Sequence, residues 1–140
     1  MIIVKEIMKT DLFVMNRLDT LYQARLEMDK RQIRHILVVD DDEELVGLLT
    51  QRDLFAAAVS IFADVDDETR DELEKSIPLM NVMTSDIVGV DADTNLVEAA
   101  QYLIDYKRGC LPVLSNGRLV GIITESDFVI LARDMLDKMR

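Results

Sequence analysis

"GLLTQRDL", Gly47 to Leu54, and "GIITESDF", Gly121 to Phe128, carry one pattern twice. Each gives a glycine, two apolar residues, a threonine, two variable residues, an aspartate and an apolar residue. The apolar run up to the threonine suits a buried strand. A Thr followed three residues later by an acid, just before an apolar stretch, opens a helix. A strand feeding directly into a helix, found twice, sets the frame for the rest of the chain.

Outward from this junction the duplication continues. Shifting the sequence by 75 lays Met8 on Met83, Asp11 on Asp86, Leu21 on Leu96, Ala24 on Ala99 and Val38 on Val113. Beyond "DDDEE" the shift becomes 74, so a turn there carries one residue more than its counterpart "SNGR". Each copy predicts a short strand ("LFVM" or "IVGV") and a helix striped by Leu21, Ala24 and Met28 or by Leu96, Ala99 and Leu103. A hairpin follows ("HILVV" with "LVGLLT", or "CLPVL" with "LVGIIT"), then a closing helix. The closing stripes are Leu54, Ala58, Ile61 and Val65 in copy one, and Phe128, Leu131, Met135 and Met139 in copy two. The expected class is α+β, with tandem β-α-β-β-α repeats at 1–63 and 78–140 and an acidic inter-repeat segment at 64–77. A unit of about 60 residues is marginal alone, so the two are expected to pack sheet against sheet about a pseudo-twofold axis. Pro112 inside a strand predicts an edge or strand-start position. The acidic run from Asp64 to Ser76 reads as a capped helix start; its Thr69 and Lys75 stand where a calcium loop needs Gly and Glu.

The repeated motif has two readings. As a capping box, Thr50 and Thr124 accept from backbone N–H groups while Asp53 and Asp127 reach back. Against it, capping boxes favour the longer Glu or Gln, and Gly47 and Gly121 sit in strands, where glycine marks close approach of a ligand or a backbone. As a ligand grip, the helix N-terminus attracts phosphate, the Thr hydroxyl donates to a phosphate oxygen, and the Asp accepts from a ribose diol through charge-assisted bonds.

The doubled pattern resembles a pair of CBS domains, a Bateman module. The segments that carry it are "IMKTDLFVM", "QIRHILVVD" and "LVGLLTQRDL", then "VMTSDIVGV", "RGCLPVLSN" and "LVGIITESDF". The resemblance implies a non-catalytic regulatory module that binds an adenosine-type ligand, AMP, ADP, ATP or S-adenosylmethionine, in clefts between the repeats. It would form a homodimer and pass its signal to an unknown effector protein. Asp127 and Thr124 would work with Thr10, Arg34, His35 and Ile36. Asp53 and Thr50 would work with Ser85, Arg108, Cys110 and Leu111. Asp53 and Asp127 would take the ribose; Thr50, Thr124, Arg34, His35, Arg52 and Arg108 the phosphate; Thr10, Ile36, Leu37, Ser85, Cys110, Leu111 and Pro112 the base. Leu37 stands where the family and copy two have proline, and Arg52 where copy two has Ser126. Arg34 beside His35 makes the Asp127 cleft the expected better phosphate site. The alternative is a ligand-free dimeric scaffold.

The totals exclude other classes. A net charge of −11, with no basic cluster, repels nucleic acid and anionic membranes. One cysteine, Cys110, permits no internal disulfide and fits a reducing compartment. The N-terminus lacks a signal-peptide pattern, and the run Leu54 to Ala63 is too short to span a bilayer, so a cytoplasmic setting is expected. No P-loop, dinucleotide fingerprint, nucleophile elbow or HExxH is present, so no enzyme, required cofactor or metal site is expected. His35 reads either as a polar residue at a strand edge or as a phosphate contact, and Cys110 as a small buried apolar side chain. The methionines read as packing, with Met135 and Met139 available to a partner surface. "LFAAAVSIFA" reads as a subunit interface. Acidity mildly favours AMP or S-adenosylmethionine over ATP.

Overall fold

The computed structural model describes residues 1–61 and 64–140, with the backbone alone for Ile61. The elements run β1 (Val14–Asn16), α1 (Leu21–Arg31), β2 (His35–Val39), β3 (Leu45–Thr50), α2 (Gln51–Ile61), α3 (Asp67–Glu74), β4 (Val90–Asp91), α4 (Leu96–Tyr106), β5 (Cys110–Ser115), β6 (Arg118–Thr124) and α5 (Glu125–Lys138). Single 3-10 turns, Val4–Glu6 and Leu79–Asn81, precede each copy's first strand. The fold is α+β, with β-α-β-β-α order in each copy and an extra acidic helix, α3, between them.

Two compact units form, offset from the sequence repeats: Phe13–Ile87, and Met1–Leu12 together with Val88–Arg140. In the first, a three-stranded sheet has order β1-β2-β3, with β1 parallel and β3 antiparallel to β2. The second repeats this as β4-β5-β6. Both hairpins carry a bulge at the equivalent place, Val38/Val39 and Val113/Leu114. Asn116 and Gly117 turn the second hairpin with φ of 53° and 78°, values for which Asn and Gly are the tolerant residues. The longer first turn is tied by Asp40, whose carboxylate accepts the N–H groups of Asp42 and Glu44.

The stripes Leu21, Ala24, Met28 and Leu96, Ala99, Leu103 are buried as the spacing demands. Thr20 and Asn95 cap these helices, accepting from Gln23 N–H at 3.2 Å and Glu98 N–H at 2.9 Å. Gln32 and Lys107, both at φ 54°, end them in the left-handed conformation. Four expectations need correction. Val65 lies past α2, and Ala57 is buried beside the partly buried Leu54 and Ala58 instead. Met135 and Met139 are exposed, since the buried face of α5 stops at Leu131. The first strands are shorter and later than expected, because backbone pairing, unlike the apolar run, begins only at Val14 and Val90. Pro112 sits in the central strand of its sheet, not at an edge. The sheet tolerates it because Ile122, opposite, exchanges its hydrogen bonds with Lys9, and pairing with β4 starts one residue later at Val113. In the other copy Leu37, with an N–H to spare, pairs with Val14, so β1 gains the residue that β4 lacks. Of the segment expected as an interface, Phe62 and Ala63 and the Ile61 side chain lie outside the described residues.

Helix α3 is capped by Asp66, which accepts from Thr69 N–H at 2.7 Å. That N–H, aided by the Thr69 hydroxyl, holds the Asp66 carboxyl below its ordinary value. The cap therefore helps above the unfolded carboxyl's pKa and is lost as pH falls through the lowered folded one. Arg25 of α1 binds two carboxylates of α3, Asp71 at 2.6 Å and the buried Glu74 at 2.9 Å. Removing Arg25 strands a buried charge. Arg25→Ala should cost roughly 2 kcal/mol in urea denaturation, between the ranges for exposed and buried pairs. A loss below about 0.5 kcal/mol, the scale of an ordinary surface change, would contradict this role.

Candidate functional site

Helix α2 starts where β3 ends, with no loop between Thr50 and Gln51. The free N–H groups of such a start need acceptors. Thr50 N–H donates to Asp53 Oδ2 at 2.9 Å, and Asp53 N–H donates to Thr50 Oγ1 at 3.1 Å. Aspartate is thus long enough to close the box. His35 opens β2, the central strand, directly opposite Thr50, so it is not at a sheet edge. Gln51 N–H donates to the Arg34 carbonyl at 2.9 Å, which ties the start of β2 to the start of α2. Arg34 and Arg52 are exposed, while Ile36 and Leu37 are buried in β2. Ser85 is exposed and follows Thr84, which is bridged to Leu48 of β3. The structure therefore gathers Arg34, His35, Thr50, Arg52, Asp53 and Ser85 in the Phe13–Ile87 unit.

In the other unit Thr124 N–H donates to Asp127 Oδ2 at 2.8 Å, and its hydroxyl lies 3.3 Å from the same oxygen. Cys110 lies opposite Thr124, and Glu125 N–H donates to the Gly109 carbonyl at 3.1 Å. Leu111 and Pro112 are buried; Arg108 and Thr10 are exposed. The sequence reading missed Lys9. Its Nζ donates to Asp127 Oδ1 at 2.8 Å. An antiparallel bridge between Lys9 and Ile122 carries it to the edge of β6. The visible signal was a mismatch in the repeat: Lys9 aligns with Thr84.

The strand glycines have a packing reason. A Cβ on Gly47 would collide with the Met83 side chain, and one on Gly121 with Met8, with the Lys9 carbonyl 3.0 Å away. They admit the segment that covers each sheet edge, and this packing accounts for them without a ligand. Both helix starts are capping boxes.

Residues 4–60 and 79–134 each match the CBS domain. The chain belongs to the CBS-domain family. A CBS domain-containing protein of Dictyostelium discoideum is 34% identical over 137 residues, covering 97% of this chain and 94% of that protein. A Vibrio cholerae protein with the provisional name acetoin utilization protein AcuB is 38% identical, with TM-score 0.81 over 98% of this chain and 94% of its own. CBSX2, solved in complex with AMP, is 25% identical with TM-score 0.78, covering 95% of this chain and 97% of that one. The CBS domain pair of protein MJ0100, solved with 5'-methylthioadenosine and S-adenosyl-L-methionine, shares the fold at 22% identity, with TM-score 0.80 over 96% and 98%. Among the described residues of this CBS pair, no helix is long and apolar enough to cross a membrane.

Burial pushes the Cys110 thiol up to about 12. A raised thiol pKa favours folding fully below the unfolded thiol's value and loses that favour as pH rises toward the folded one. Cys110 should therefore resist a thiol-reactive disulfide reagent at pH 8 in the native protein and react promptly in urea. Prompt native labelling would contradict its burial.

Proposed function

We propose that this CBS pair is a non-catalytic regulatory module that binds an adenosine-type ligand, AMP, ADP, ATP or S-adenosylmethionine, and passes the occupancy on to an effector protein. The supporting observation is a Thr–Asp helix start in each copy of a family whose relatives include a protein solved with AMP. Asp53 and Asp127 are the ribose candidates and Thr50 and Thr124 the phosphate candidates. Arg34, His35, Arg52 and Arg108 supply cationic or hydrogen-bonding groups for phosphate. Thr10, Ile36, Leu37, Ser85, Cys110, Leu111 and Pro112 remain candidates for the base. The capping function does not compete with this role, since a carboxylate offers about four acceptor positions and the cap takes few of them.

A homodimer belongs to the same proposal. Exposed apolar side chains recur on the helices after each aspartate: Phe55 and Val59 on α2, Val129, Ile130 and Leu136 on α5. Such faces are costly in water unless covered. They equally favour the second reading, a dimeric scaffold that binds no ligand.

Thermal melting separates the two. At 100-fold saturation a ligand adds roughly 2.7 kcal/mol, which for a chain of this size raises Tm by on the order of 10 °C. At least one of AMP, ATP or S-adenosylmethionine should do so at millimolar concentration. No shift with any adenosine compound would leave the scaffold reading.

A further inference from the structure

The two helix starts are unequally open. At Asp53 one oxygen accepts from Thr50 N–H, and the other accepts nothing among the described residues. The Thr50 hydroxyl accepts from Asp53 N–H and gives its own proton to no described group. A phosphate and a ribose diol would find a free donor and a free carboxylate oxygen there. At Asp127 the Thr124 N–H, the Thr124 hydroxyl and the Lys9 ammonium take three acceptor positions. The Asp127 side chain is 6% exposed, whereas the lysine covering it is 51% exposed. A diol arriving there must displace a charge-assisted bond, one of the stronger contacts a carboxylate makes.

We infer that Lys9 determines which helix start receives the ligand, sealing Asp127 and leaving Asp53 as the ribose site. This rests on the adenosine-binding reading above, and it reverses the ranking expected from Arg34 and His35. The backbone seats are alike: Lys9 exchanges hydrogen bonds with Ile122 at 2.9 and 3.0 Å, and Thr84 exchanges them with Leu48 at 2.9 Å each. Only one seat carries an ammonium. The short, uncharged side chain of Thr84 cannot neutralise Asp53 as a lysine would.

Exchanging the two residues tests the inference on the intact chain. Wild type, Lys9→Thr, Lys9→Arg and Thr84→Lys are titrated calorimetrically with AMP, ATP and S-adenosylmethionine, after ligand-free melting confirms folding. The wild type should take one ligand per chain, and Lys9→Thr two. Lys9→Arg, which keeps the charge, should still take one. Thr84→Lys, which places an ammonium beside Asp53, should weaken binding by about tenfold or more. Two ligands per wild-type chain, or a stoichiometry and affinity indifferent to both exchanges, overturns the inference while leaving ligand binding intact. If no compound binds the wild type or Lys9→Thr, the adenosine reading itself fails and the inference falls with it. Should Lys9→Thr not fold, Thr84→Lys decides alone: wild-type affinity there overturns the assignment.

Discussion

A helix that begins directly from the end of a strand has no turn of its own to satisfy the N–H groups at the junction. That constraint operates twice in this chain, at Thr50 and at Thr124, and in both places an aspartate three residues on supplies the acceptor. The arrangement fixes a carboxylate at the first turn of a helix, where the backbone donors and the partial positive charge also point. The site candidates cluster there because the fold has to solve that problem. Capping and ligand binding draw on the same chemistry, and the second needs only acceptor capacity left over from the first.

The capacity left over differs between the copies. Repetition gives both units the same sheet order, the same bulge and the same edge-covering segment, with Met8 or Met83 lodged over a glycine. Among the positions where the copies differ, one bears directly on the aspartates: one copy has Lys9 where the other has Thr84. A duplicated module can acquire a preferred site in this way without altering its backbone, since the ammonium acts on a carboxylate the fold had already placed.

Much of this was legible in the sequence. The shift that aligns Leu21 with Leu96 and Ala24 with Ala99 fixed the element order, and apolar spacing found the buried faces of α1 and α4. The turn at Asn116 and Gly117 followed from the backbone freedom of those residues. Periodicity says which face of a helix turns inward but not where its neighbour ends, so spacing alone puts Met135 and Met139 on the stripe although the packing stops at Leu131. A proline in a strand predicts an edge or strand-start position, and Pro112 stands instead inside the central strand because Lys9 takes the bonds of the residue opposite. The glycines signalled close approach correctly, but the visitor was a methionine. Lys9 and Asp127 are 118 residues apart, and no local pattern joins them.

If Lys9 selects the site, a carboxylate already serving as a helix cap keeps an oxygen for a ribose at Asp53, while both oxygens are engaged at Asp127. A crystal structure of the wild-type chain grown with AMP measures this most directly. Ribose hydroxyls are expected on the Asp53 carboxylate, with the Thr50 N–H still bound to it and Lys9 still on Asp127. Ribose on Asp127 with Lys9 swung away, and Asp53 bare, would contradict it.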